Sequence, residues 1–252
     1  GINEMNCPLT MMRSSNTVYV SYPNGVDAFG NTAYSGALAR VNKTVIGTGI
    51  ELRTGLLYLL LSRDKYRFRI ADSEIIGFII GGNKEKRFDY TTKQRLPLPG
   101  GLYSSPWIGG SYVLAAGLKA CYRINNLIDI GVSYYPLYYY IDIGASITGN
   151  TTGAYISGYG GHLRVGKIYA DFMEVKLPSK QTDRWDHGPT YNVSVKYRYG
   201  SKWHFLSFNS MNQRVNTDVQ NNSGLFMPQD VAAKAPVPQK WWVYQVGWGI
   251  MF

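Results

Sequence analysis

Apolar and polar residues alternate along most of the chain, which is the pattern of β-strands with one apolar and one polar face. Segment 190–199 is typical, with Val193 and Val195 on one side and Asn192 and Lys196 on the other. No run of about 18 or more apolar residues occurs, so the sequence predicts no membrane-spanning helix. The alternation predicts an all-β fold of about ten strands. The expected strands are 15–22, 45–62, 66–81, 107–123, 127–146, 153–165, 167–177, 190–199, 202–213 and 240–252.

The connections between these strands are alternately short and long. Tight turns are predicted at 64–65, 125–126, 166 and 200–201. Longer connections are predicted at 23–44, 82–106, 178–189 and 214–239. Transmembrane β-barrels show this alternation, because their periplasmic turns are short and their extracellular loops are longer. We therefore expect a closed antiparallel transmembrane β-barrel, with about eight or about twelve strands as the alternatives.

The C-terminal segment 244–252 is the most specific part of the pattern. Large apolar residues occupy every second position, and they are Tyr244, Val246, Trp248, Ile250 and Phe252. This segment resembles the closing strand of Gram-negative outer-membrane β-barrel proteins, which commonly ends in Phe. The resemblance implies an outer-membrane location with both termini in the periplasm, recognition by the barrel-assembly machinery, and a mature chain whose signal peptide has been removed. It assigns no specific family.

The expected domain organisation is a single outer-membrane β-barrel at 15–252, preceded by a periplasmic N-terminal segment at 1–14 that is a candidate plug. Two cysteines in an oxidising compartment fit one bridge. We predict that Cys7 and Cys121 form a disulfide that holds the N-terminal segment in the mouth of the barrel. The alternative is two free thiols.

Charge and composition narrow the function classes. Lys and Arg number 26 against 16 Asp and Glu, which gives a net charge of +10. A basic protein can bind nucleic acid, but aromatic-rich alternating strands without a recognition helix argue against a nucleic-acid partner. The three histidines and two cysteines lack metal-ligand spacing, and no phosphate-binding loop is present, so we expect no metal and no cofactor.

Basic residues are predicted to face the lumen close to the short turns. These lumen cations are Arg53, Arg67, Arg69, Lys119, Arg123, Arg164, Lys196 and Arg198. Few acids are expected beside them, and buried like charges must be paired or solvated. Three interpretations stay open: an interior lattice of salt bridges, a passage that prefers anions, and a docking site for an acidic partner.

A second basic cluster is predicted on the extracellular loop 82–106. Its members are Lys84, Lys86, Arg87, Lys93 and Arg95. We expect these residues to contact lipopolysaccharide, whose phosphates accept charge-assisted hydrogen bonds. The alternative is a solvated loop.

An enzyme is the third functional alternative. Ten-stranded barrels include the omptin surface proteases, which use acidic residues and a histidine on extracellular loops. The matching residue types here are Asp89, Asp183, Asp186 and His187. However, Asp186 and His187 are adjacent, and no acidic pair stands on a facing loop. A lipid A-modifying hydrolase would need a nucleophile and an acid beside His162 or His204, and none can be assembled, so we name no catalytic residue.

The expected function is that of a non-enzymatic integral outer-membrane barrel, serving as a structural or accessory subunit of an envelope complex. A narrow anion-preferring channel is the alternative, because about ten strands leave little space beyond the inward side chains. The expected partners are outer-membrane lipid and lipopolysaccharide, together with other envelope proteins or small anions.

Overall fold

The computed structural model describes residues 2–98, 104–145, 150–176, 185–187, 190–215 and 237–252. The regular structure in these ranges is β-strand, and none of it is a helix long and apolar enough to cross a membrane. The strands are β1 (Ile2–Val26), β2 (Thr32–Thr54), β3 (Tyr58–Arg63), β4 (Tyr66–Asp89), β5 (Arg95–Leu96), β6 (Ser104–Arg123), β7 (Ile128–Ala145), β8 (Asn150–Val165), β9 (Ile168–Lys176), β10 (Trp185–His187), β11 (Thr190–Tyr199), β12 (Lys202–Val215) and β13 (Val237–Met251).

Ten strands of the described chain form a ring of antiparallel pairs. The order is β1, β2, β4, β6, β7, β8, β9, β11, β12 and β13, and β13 pairs with both β12 and β1. Outside this ring, β3 and β5 pair with β4, and β10 pairs with β12. The predicted all-β antiparallel fold is therefore confirmed.

The tight turns all lie at one end of the ring, which we call the turn end; the opposite end is the loop end. Asp64, Gly166 and Gly200 have positive φ angles of 49°, 58° and 67°, as such short turns require. The side chain of Asn125 accepts two backbone N–H groups of its own turn, at 2.9 and 2.8 Å. These turns stand where the sequence predicted them. The start of β1 and the end of β13 also lie at the turn end, where the Met251 N–H donates to the carbonyl of the 200–201 turn.

The outer face of the ring is apolar and the inner face is polar. Ile46, Val132 and Leu206 point outward and are 56%, 65% and 60% exposed. Thr10 and Asp129 point inward and are 1% and 6% exposed. This distribution follows from the period-2 alternation of the sequence, and it is the reverse of that in a water-soluble protein.

The N-terminal segment differs from the prediction. Residues 4–14 pair with β13 on one side and with β2 on the other, so they are part of the wall and not a plug. The predicted loop 23–44 is also largely strand, because β1 continues to Val26 and β2 begins at Thr32. In 23–44 the alternation is weak, because Arg40 and Thr44 point outward while Ala39 and Val41 point inward. In 4–14 the outward residues Met5, Cys7, Leu9 and Met11 do alternate with inward ones, but the prediction did not use them.

The predicted strand 45–62 is interrupted at 55–57. The carboxylate of Asp72 accepts the backbone N–H groups of Leu56 and Leu57 at 2.9 and 2.6 Å, and these bonds take the place of a strand ladder. Beyond the break, β3 forms a hairpin with β4 at the turn end. The interruption separates β2, which belongs to the ring, from β3, which does not.

A small apolar core lies inside the loop end. It is formed by Val20, Ala39, Val41 and Leu96, all of them buried. Leu96 reaches this core because β4 continues to Asp89 and turns back into β5. The predicted loop 82–106 is thus partly ordered as an extension of the sheet.

Candidate functional site

The inner face at the turn end is the first candidate site, because most of the predicted lumen cations meet there. Asp129 on β7 forms ion pairs with Arg123 on β6, at 3.4 Å, and with Arg164 on β8, at 3.1 Å. Arg164 also donates to the backbone carbonyl of Asn126 at 2.8 Å. One buried carboxylate therefore pairs with two cations, which leaves one positive charge in the group, and connects three neighbouring strands.

A second carboxylate organises the adjacent strands. Asp171 on β9 lies 3.4 Å from the Nζ of Lys119 and 2.8 Å from the Nδ1 of His162. His162 is thus a hydrogen-bonded residue of the wall. No nucleophilic side chain is recorded in contact with its ring among the described residues.

Three further lumen cations also have interaction partners on the inner face. Arg53 lies 3.5 Å from Glu4, and this ion pair joins β2 to β1. Lys196 and Arg198 on β11 stack on the Trp203 ring at 5.4 and 5.8 Å, which is cation–π distance.

Arg67 and Arg69 complete the predicted set on β4. Their register partners on β6 are Cys121 and Lys119, and Arg69 is exposed. Within the described part of the chain neither arginine has a carboxylate partner. The set is therefore a mixture of paired cations and a smaller unpaired group on β4.

Two large side chains of β12 lie on the inner face beside this cluster and cover the neighbouring strand β13. Trp203 is only 2% exposed, and its Nε1–H donates to the Oδ1 of Asn6 at 2.9 Å. The register places Trp203 opposite Gly249 and Phe205 opposite Gly247. A Cβ on Gly249 would lie 2.4 Å from the Trp203 ring, so the glycine makes room for the indole.

A hydrogen-bonded network continues from these aromatic residues along the inner face of β12, β13, β1 and β2. The amide of Gln245 donates to Glu51 at 2.8 Å and accepts from the hydroxyl of Ser207 at 3.0 Å. Sequence reasoning missed Trp203 and Phe205 as lumen residues, since their strand carries apolar residues on both faces. The signal that could have found them is the pair of glycines at matching positions of the terminal strand.

The predicted disulfide is not formed, because Cys7 and Cys121 are both free. Cys7 pairs with Trp248, whose side chain is on the outer face. The Sγ of Cys121 lies over Gly131 on the inner face, 2.7 Å from where a Cβ would stand. The prediction was wrong because it placed residues 1–14 outside the wall, as a segment held in the barrel mouth, whereas β1 fixes the first cysteine on the opposite face of the wall.

The predicted loop cations do not form one group. Arg87 points inward, where it lies 2.6 Å from Glu85 and donates to the Ser21 carbonyl at 3.2 Å. Lys93 donates to the carbonyl of Tyr90 in its own turn. Arg95 lies on β5, opposite Phe88. Lys84 and Lys86 remain, and both are exposed on the outer face of β4.

The residues considered for catalysis are also separated. Asp89 accepts the backbone N–H groups of Thr91 and Thr92 at 2.9 and 2.7 Å, and the bonds from Thr92 lead in holding the pKa of Asp89 below its ordinary value. Asp186 and His187 lie on β10, while Asp183 lies outside the described residues. The described residues contain no group of His, Cys, Asp and Glu that could hold a metal ion.

No protein-family model and no curated protein matches the chain. Several solved structures are similar over nearly the whole length. A FadL homologue of Pseudomonas aeruginosa is 11% identical, with 98% of this chain and 90% of that chain covered and a TM-score of 0.31. The Escherichia coli outer membrane protease OmpT is 10% identical, with 100% and 97% covered and a TM-score of 0.28. The Pseudomonas putida toluene transporter TodX is 8% identical, with 100% and 90% covered and a TM-score of 0.27. Similarity at this level identifies no family and no activity for this chain.

Proposed function

We propose that this chain is a closed, integral β-barrel of the bacterial outer membrane, with the turn end and both termini in the periplasm. The apolar outer face of the ring carries this proposal. A water-soluble protein rarely exposes a contiguous apolar patch of more than a few hundred Å². Burying one Val, Leu, Ile or Phe side chain is worth roughly 1.5–3 kcal/mol, and here such side chains point outward on strand after strand. Lipid provides the apolar environment that these side chains require.

Polar groups on the outer face support the same environment. Glu174 accepts the hydroxyl of Tyr159 at 2.6 Å, and Glu74 accepts the hydroxyl of Thr54 at 3.2 Å. Polar groups in hydrocarbon are costly unless they have partners inside the protein. Both outward carboxylates therefore have a hydrogen-bond partner within the protein.

The inner face of the wall supports a non-enzymatic, non-conducting role, and we propose that the barrel is a structural or accessory subunit of an envelope complex. Trp203 and Phe205 are buried on this face, and Asp129, Asp171 and Glu4 form ion pairs with four of the eight predicted lumen cations. Large inward side chains leave little free space inside a barrel of about ten strands. The lattice of ion pairs strengthens the wall instead.

A planar-bilayer experiment tests both parts of this proposal. We expect the protein in the outer-membrane fraction, as a folded form that migrates differently on a gel after boiling. After purification in mild detergent, the wild type should show no discrete openings. The variant Trp203→Ala/Phe205→Ala should conduct, because it removes the two large side chains from the lumen. Leu206→Ala/Phe208→Ala is the matched control, since it truncates outward side chains of the same strand.

A narrow anion-preferring channel is the second candidate, and the unpaired Arg67 and Arg69 favour it. In that case the wild type would show openings with an anion-biased reversal potential. The variant Arg67→Glu/Arg123→Glu/Arg198→Glu would invert that bias. Openings of this kind would replace the accessory role with transport, whereas recovery of the wild type in a soluble fraction would refute the membrane proposal itself.

A further inference from the structure

A group of exposed cations lies on the outer face near the loop end, on three adjacent strands. Lys84 and Lys86 are on β4, Arg40 is on β2, and Arg13 is on β1. The pairing register brings them together. Thr44 is opposite Arg13 on one side and opposite Lys84 on the other. We call Arg13, Arg40, Lys84 and Lys86 the outer cation patch.

The dimensions of the patch follow from strand geometry. Neighbouring strands are about 4.8 Å apart and residues on one face of a strand are about 6.7 Å apart. Arg13 and Lys84 are therefore separated by about 10 Å along one row, and Lys86 lies one step nearer the loop end. Arg40 lies one further step along β2, opposite Phe88. Four long cationic side chains thus share a surface small enough for one multiply charged head group.

No acid on these strands compensates the patch. Glu85 is the single acid between residues 75 and 88, and residues 5–50 contain only Asp27, which lies in the β1–β2 turn. Glu85 points inward, where it forms ion pairs with Lys43 at 3.4 Å and Arg87 at 2.6 Å. Asp89 is engaged by the backbone of its own turn. The described residues record no ion pair for any member of the patch.

The patch begins where the apolar outer face ends. The outward residues on the turn-end side of Thr44 and Lys84 are Ile46, Gly82 and Ile80, and the two isoleucines are 56% and 55% exposed. Trp242 is opposite Arg13 on β13, and tryptophan is enriched at the level of membrane head groups. The change from isoleucine to exposed Lys and Arg therefore marks the boundary between hydrocarbon and head groups.

We propose that the outer cation patch binds the phosphate groups of lipopolysaccharide in the outer leaflet, an inference that rests on the proposed outer-membrane location. Lys and Arg side chains pair with phosphate oxygens through charge-assisted hydrogen bonds. The acyl chains of the same lipid would lie on the apolar face beside Ile46 and Ile80. The site replaces the predicted loop cluster: it keeps Lys84 and Lys86, leaves out Arg87, Lys93 and Arg95, and adds two arginines that are distant in sequence.

The test measures binding of defined lipids to the purified barrel in mild detergent, by native mass spectrometry. The probes are bisphosphorylated lipid A, the same lipid after removal of its phosphates, and phosphatidylglycerol, with inorganic phosphate as a competitor. The test variant is Arg13→Gln/Arg40→Gln/Lys84→Gln/Lys86→Gln. The matched control is Arg63→Gln/Lys65→Gln/Lys167→Gln/Lys202→Gln, which removes the same charge from exposed residues at the turn end.

We expect the patch variant to bind lipid A roughly tenfold more weakly and the control to stay within about twofold of the wild type. Binding should fall to the level of the patch variant when the lipid lacks phosphate, and inorganic phosphate should compete only weakly. Equal losses in both variants, or undiminished binding of the dephosphorylated lipid, would overturn the proposal. Equally tight phosphatidylglycerol binding would overturn the assignment to lipopolysaccharide. Each protein is purified from the outer-membrane fraction. A wild type that is absent from this fraction would refute the proposed location. A patch variant that is present there and binds lipid A as tightly as the wild type would refute the patch alone.

Discussion

Replacing Gly249 with alanine tests the packing of the Trp203 ring against the inner face of β13. Gly249 lies on β13 opposite Trp203, and a Cβ at this position would stand 2.4 Å from the indole ring and 2.4 Å from the Oδ1 of Asn6. Trp203 is 2% exposed and donates to that same Oδ1. The added methyl group therefore has to displace a buried ring and its hydrogen-bond partner together.

The expected loss of stability combines three effects. Overpacking costs about 1–3 kcal/mol, and a weakened Trp203–Asn6 hydrogen bond costs up to about 1.5 kcal/mol. The smaller conformational freedom of alanine in the unfolded chain returns about 0.4–1 kcal/mol. The net result is a decrease of roughly 1–3 kcal/mol in the free energy of unfolding. Gly161→Ala is the matched control, because the nearest atom to a Cβ there is 4.0 Å away, and we expect it to be neutral or slightly stabilising.

The assay is denaturant unfolding of the barrel in lipid vesicles, followed by tryptophan fluorescence. Trp203→Phe combined with Gly249→Ala should recover part of the loss, since the smaller ring leaves room for the methyl group. A Gly249→Ala protein as stable as the wild type would refute the packing of Trp203 against Gly249. Gly161 lies on the outer face, opposite Val132 and Phe172, and a loss of equal size in Gly161→Ala would show that alanine destabilises strand glycines of this protein regardless of packing.

Two further predictions concern charge and thiol chemistry. Asp129→Asn should lower the free energy of unfolding by roughly 1–3 kcal/mol, because it leaves two partly buried arginines without their carboxylate. The control Asp64→Asn breaks an ion pair whose side chains are at least 87% exposed, and it should leave denaturant unfolding unchanged. Equal losses in the two variants would contradict the role of burial. Unfolded protein without reductant should take up two maleimide groups by intact mass, since both cysteines are free, whereas no uptake and a mass lower by two hydrogens would reveal the disulfide.

The period-2 pattern was sufficient to predict most of the wall, because a strand with one apolar face shows alternating apolar and polar residues in its sequence. The tight turns were predictable for a related reason: Gly166 and Gly200 stand where short connections need positive φ angles, and the side chain of Asn125 accepts backbone N–H groups of its own turn. Segment 23–44 was missed because apolar and polar residues are mixed on both of its faces. Segment 2–14 was missed although Met5, Cys7, Leu9 and Met11 alternate there, and Pro8 within it is unusual for a strand paired on both sides.

The candidate sites were less predictable, because they depend on register between strands. The inward direction of Lys119 and Arg123 followed from alternation alone. Asp129 was likewise expected to point inward, and it is the register partner of Arg123 across a tight turn. The pairing of Lys119 with Asp171 could not be predicted, since these residues lie on strands that are not neighbours. The outer cation patch could not be predicted either, because it also depends on strand register. Arg13 and Lys84 are brought together only through their common partner Thr44.

The two charged regions of the wall differ in what surrounds them, and this difference decides their roles. Four of the eight lumen cations form ion pairs with Glu4, Asp129 and Asp171, and Lys196 and Arg198 stack on Trp203. The outer cation patch has no acidic partner on its strands, and it adjoins the apolar face at Ile46 and Ile80. The paired interior charges connect neighbouring strands, so we expect their removal to lower stability. The exposed patch makes no such connection, so we expect its removal to change lipid binding and leave the free energy of unfolding nearly unchanged.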